Sequence, residues 1–170
     1  MLDQQYFGNK QYHPFLNEHF IVVHAVNGEE AGEALYELYD IHATPTTLIL
    51  TADGSEIDRV VGFGDPDGFQ ENLIEGFQGE NNYLNLYTRY QKNPKDILSA
   101  FLLAEKYQRR YSMEWAEKSL ELYKSVLKRP EEARGISVPA SVDPEKRSVY
   151  EHAKFNLAEA TMYTLSLIHI

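Results

Sequence analysis

The chain has 170 residues, 43% of them hydrophobic and 25% charged, the balance of one folded domain or two small ones and not of a disordered chain. It contains no cysteine, which removes disulfides, thiolate metal sites and thiol chemistry from these residues, and no apolar run approaches the about 18 residues of a membrane helix. The net charge of −10 is lopsided: residues 1–78 hold two basic and 14 acidic residues, a net of −12, whereas residues 79–170 hold 14 basic and 12 acidic, a net of +2.

An acidic first half is repelled by phosphate backbones, and the second half spreads its cations among glutamates in the manner of solvated helix faces, so nucleic acid is not an expected partner. Met1 to Gln5 lacks the basic-then-apolar pattern of a signal peptide, and no compartment follows from it.

In chain order, Leu2, Tyr6, Phe7, Phe15, Leu16 and Phe20 recur at helical spacings, broken by Gly8-Asn9 and Pro14, which predicts two short helical pieces. Phe20 to Val26 is a nearly continuous β-branched run and reads as a strand covered on both faces. Ala31, Ala34, Leu35, Leu38 and Tyr39 form the stripe of a helix over 29–39. Pro45 then precedes an apolar strand, Thr47 to Thr51, where a residue without an N–H reads as a fixed bend. Asp53-Gly54 supplies a tight hairpin to a second strand, Glu56 to Val61. Asp65 as N-cap and Pro66 at the first position open a helix whose apolar face holds Phe69, Leu73, Ile74 and Phe77.

That order of elements, with Pro45 and Gly62 in register, resembles a thioredoxin-like domain over residues 1–78 without its opening strand. Further, Phe7 and Phe15 to Val23 look like the segment that follows Lys-x-Met-Asp in that family, where the Cys-x-x-Cys lies directly before it. The resemblance implies a cis peptide bond at Thr44-Pro45 and a substrate-binding loop made by Ala43, Thr44 and Pro45. It also implies a strand and a Cys-x-x-Cys upstream of Met1, so the redox pair is absent from these residues and no catalytic residue is assigned. The absent strand would lie between Phe20 to Val26 and Thr47 to Thr51, leaving two apolar edges open.

Residues 79–164 read as helical. Tyr83 to Tyr90 form a first helix, about Pro94 to Arg110 a second with Asp96 in its first turn, and about Ser112 to Lys128 a third. Ala100, Leu103, Ala104 and Tyr107 facing Ser119, Tyr123, Val126, Leu127 and Pro130 resemble a degenerate tetratricopeptide repeat. After an irregular stretch, Glu131 to Asp143, the residues Val149 to Ala160 look like the first helix of another repeat, with the following helix absent. Trp115 and the tyrosines read either as helical core or as part of a peptide-binding groove. Leu165 to Ile170 fits no repeat and resembles the frame translation of a sequencing-library adapter, a non-native tail.

The expected fold class is α/β: an incomplete thioredoxin-like fold followed by an all-α helical extension of tetratricopeptide type. The six histidines, His13, His19, His24, His42, His152 and His169, lack metal-ligand spacing, and no phosphate loop or cofactor motif is present, so neither metal nor cofactor is expected. The resemblance implies a parent thiol–disulfide oxidoreductase that holds a protein or peptide substrate, with a periplasmic or cell-envelope setting open to it. The alternative is a redox-inactive interaction scaffold. No membrane insertion is expected, and the oligomeric state is open.

Overall fold

The computed structural model describes residues Met1 to Ile168 and is a mixed α/β structure. It divides into two compact units, Met1–Gly79 and a second beginning at Glu80. No helix among the described residues is long and apolar enough to cross a membrane.

The first unit begins with a single π turn, Asp3–Phe7, and α1, His13–His19, then α2, Glu30–Leu38. Strands β1, Thr46–Leu50, and β2, Glu56–Val61, pair antiparallel, Thr46 opposite Val61 and Ile49 opposite Asp58, with an irregularity between Ile49 and Leu50. The hairpin turn follows the sequence expectation: Gly54 takes φ +86°, a conformation that costs glycine little, and Asp53 Oδ1 accepts from Thr51 Oγ1 and from the Ser55 N–H. Helix α3, Pro66–Gln78, starts as expected, Asp65 Oδ1 accepting from the Gly68 N–H at 2.9 Å.

Tyr6, Tyr12, Leu16, Ile49, Phe69 and Leu73 form this unit's core. Tyr6 stacks on Tyr12 at 4.5 Å and meets the edge of Phe69 at 4.7 Å, while the Tyr12 hydroxyl donates to Asp67 Oδ1 at 2.7 Å. The N-terminal turns are thereby fixed to α3. Burial among these rings pushes the Tyr6 hydroxyl up to about 12.

One expectation is corrected. Phe20 to Val26 is not a covered strand: Ile21, Val22, Val23 and Val26 are 94, 51, 77 and 42% exposed, and the segment pairs with neither strand. Its composition demands a sheet on either side, and the only sheet among the described residues has two strands. Ile21 to Ala25 make no backbone hydrogen bond among the described residues.

Phe20 packs on the Phe15 and Phe77 rings and His24 lies 3.7 Å from Asp3, but the backbone contact within Ile21–Val26 is at Val26, where α2 presses on it. A Cβ at Gly32 would fall 1.9 Å from the Val26 carbonyl oxygen, so only glycine permits this approach. Gly32→Ala should therefore destabilise the unit by about 2–3 kcal/mol, the clash outweighing the ~1 kcal/mol gained in helix propensity. Urea unfolding followed by far-UV circular dichroism measures it, and a more stable variant would contradict the contact.

The second unit contains α4, Tyr83–Lys92; α5, Ile97–Gln108; α6, Met113–Leu127; α7, Pro130–Arg134; and α8, Val149–Ile168. Helix α5 starts three residues later than the sequence suggests, because Asn93 Oδ1 accepts from the Lys95 N–H in a turn and Asp96 caps instead, accepting from the Ser99 N–H at 3.1 Å. Buried Ala100, Ala104, Ala116, Ser119, Ala153 and Ala160 let α5, α6 and α8 pack closely around Phe101, Leu103, Tyr123 and Val126. The stretch 131–143, expected to be irregular, opens with the short α7. Helix α8 continues through residues 165–168 of the segment read as a tail; residues 169 and 170, including His169, lie outside the described residues.

Candidate functional site

The candidate loop, Ala43-Thr44-Pro45, joins the end of α2 to the start of β1. The Thr44-Pro45 bond is cis, as the resemblance implies, and Thr44 and Pro45 are exposed. The bend is tied on both sides: Thr46 Oγ1 donates to the Ala43 carbonyl at 2.7 Å, and the Gly62 N–H donates to the Pro45 carbonyl at 2.8 Å. Gly62 takes φ +85° to deliver that bond.

The approach to the loop is anchored by a buried ion pair that the sequence does not reveal. Arg59, with its side chain 5% exposed, gives Nε to Glu56 Oε1 and Nη2 to Glu56 Oε2, both at 2.8 Å, a fork-to-fork pair along β2. The same guanidinium reaches the last carbonyls of α2: Nη2 donates to Tyr39 O at 2.8 Å and Nη1 to Asp40 O at 3.4 Å. The Tyr39 hydroxyl donates to Gly54 O at 2.9 Å, tying the helix end to the hairpin turn. His42 Nε2 lies 2.6 Å from Asp40 Oδ1, an exposed pair beside the loop and the nearest ionisable side chains to it in the sequence.

Of the other histidines, His13, His19, His24 and His152 have local partners. His13 Nε2 is 2.9 Å from Phe7 O, His19 sits against the Phe15 and Phe77 rings, His24 is 3.7 Å from Asp3, and His152 Nε2 is 2.8 Å from Asp143 Oδ2. Among the described residues no group of three or more metal-ligating side chains converges.

In the second unit Trp115 belongs to the helical packing. The Arg110 guanidinium is 4.5 Å from both the Tyr83 and Trp115 ring centres, Lys118 Nζ lies 3.9 Å over Trp115, and Tyr107 packs on the indole at 4.9 Å. Nearby, Glu105 on α5 is a buried carboxylate shared by three helices. The Tyr123 hydroxyl of α6 lies 3.0 Å from Glu105 Oε1 and 2.9 Å from Gln108 Oε1, and Asn156 Nδ2 of α8 donates to the same Glu105 oxygen. Desolvation raises the Glu105 pKa against the pull of Arg109, and burial, then the neighbouring Glu105 carboxylate, hold the Tyr123 hydroxyl in its neutral form.

Since the folded-state pKa of Glu105 lies above its ordinary 4.5, its contribution favours the fold below that value and is lost as pH rises through the folded one. Glu105→Gln should therefore be at least as stable as the parent chain at pH 7 and less pH-dependent from about 4.5 to neutrality. Glu105→Leu, which strands the Asn156 amide, should lose about 1–3 kcal/mol. Urea midpoints at pH 5 and 7 separate these outcomes.

No family model, curated protein or solved structure matches the chain.

Proposed function

We propose that the first unit is a thioredoxin-like module short of its opening strand and redox cysteines, and that the second is a tetratricopeptide-like region that binds a protein. Together they would belong to a thiol–disulfide oxidoreductase. The observation that carries this reading is the element order around one loop: α1, the unpaired Phe20 to Val26 run, α2, the exposed Thr44-Pro45 bend, the β1–β2 hairpin and α3. Among the described residues β1 pairs on one side only, with β2, and the β-branched run pairs with no strand, which supports that reading.

In such a protein a low-pKa thiolate attacks the substrate disulfide while Ala43, Thr44 and Pro45 hold the peptide extended. These residues supply the loop and its Arg59 anchor, and no thiol. A second reading, a redox-inactive scaffold, draws on the complete lack of cysteine and on Phe155, Met162 and Leu165, which stand 69, 65 and 52% exposed along α8.

Translation of the codons upstream of Met1 tests the two. A strand followed by Trp-Cys-x-x-Cys supports the oxidoreductase; a nearby stop codon or a cysteine-free strand supports the scaffold. The purified chain itself should reduce insulin no faster than the uncatalysed reaction, and thiol-free catalysis would overturn both.

A further inference from the structure

The Ile21–Val26 segment lies outside every helix and strand, is largely exposed, and makes a backbone hydrogen bond only at its end, where the Glu29 N–H donates to Val26 O. Ile21 to Ala25 thus carry open N–H and C=O groups beside β-branched side chains, a run long enough for a strand and free to pair with one from another chain. The charges at its ends define what can be added. Exposed Glu18 stands before the segment, and exposed Glu29, Glu30 and Glu33 follow it. A second copy would bring the same carboxylates and another −12 charge against the first.

We propose that this edge takes, as an added strand, an extended apolar peptide segment flanked on both sides by lysine or arginine. The apolar centre covers Ile21, Val22 and Val23, the main chain satisfies their peptide groups, and the flanking cations meet Glu18 at one end and Glu29 and Glu30 at the other. The inference rests on the reading of the first unit as a sheet short of one strand, and not on the origin or redox state of that strand.

The test uses the full chain at an ionic strength of about 0.01–0.05 M, where charge acts over tens of ångströms, with two synthetic peptides of one alternating Thr-Val core. One is flanked by lysine pairs, the other by glutamate pairs. The lysine-flanked peptide should slow amide exchange at residues 21–26 by about tenfold or more, weaken as salt is raised, and lose its effect on Val23→Pro, whose circular dichroism should be unchanged because the Val23 N–H makes no bond in the fold. Equal protection by both peptides, no protection by either, or protection that grows with protein concentration and no peptide would overturn the proposal. Unprotected amides sink the docking inference whatever lies upstream of Met1, whereas a cysteine-free upstream sequence sinks the oxidoreductase reading whatever the exchange shows.

Discussion

Arg59→Ala should cost the first unit about 3–5 kcal/mol, enough to unfold a domain of ordinary stability, because it removes the guanidinium that forks onto the largely buried Glu56 carboxylate and the donor to the Tyr39 carbonyl. The pair itself contributes much less than this loss, since both charges were taken out of water to form it. Arg59→Met combined with Glu56→Leu should therefore recover most of the stability while leaving the end of α2 untied. Hydrogen exchange at the β1 and β2 amides distinguishes the two. If Arg59→Ala exchanges like the parent chain, the pair is not a structural anchor, and the loop at Ala43 to Pro45 must be held by Thr46 and Gly62 alone.

The second large effect concerns self-association. At low ionic strength the −12 charge of residues 1–78 should keep copies of the open strand edge apart. At about 1 M salt the screening length falls to ~3 Å and that protection disappears. Light scattering should then rise several-fold as Ile21, Val22 and Val23 find one another, and Val23→Lys, a cation placed on the exposed edge, should suppress the rise. A Val23→Lys chain that associates as readily as the parent would place the sticky surface elsewhere, for example at the exposed Phe155 and Met162 of α8.

Local chemistry was legible in the sequence wherever one or two neighbouring residues decide a conformation. Asp53-Gly54, Asp65-Pro66, and the helical stripes of α5 and α6 behave as their residue types require, whereas in α3 Phe69 and Leu73 are buried but Ile74, expected on the same face, is exposed. Phe20 to Val26 misled for a physical reason: β-branched composition reports what a segment would bury, and whether it does so depends on partner strands that composition cannot supply. Asp96 shows the same limit on a smaller scale, since only the Asn93 turn decides that it caps α5.

The loop at Ala43, Thr44 and Pro45 could be placed from Pro45 and the hairpin after it. Its anchor could not, because Arg59 and Tyr39 meet across 20 residues of chain, and a lone arginine in a strand pattern reads as a solvent-facing residue. Gly32 carried no signal beyond an unremarkable small residue in a helix. The Glu105, Tyr123 and Asn156 junction joins positions up to 51 residues apart and was equally hidden.

The chain's single tryptophan lies in the second unit, its indole faced by Arg110 and Lys118. Intrinsic emission excited at the red edge of the ultraviolet band is therefore an optical label already installed in the helical half, one that changes colour when the two cations leave the ring. In the acidic half the tyrosines are Tyr6, Tyr12, Tyr36 and Tyr39, and Tyr6, stacked on Tyr12 with burial raising its pKa to about 12, is the one whose absorbance at alkaline pH would time the collapse of the first core.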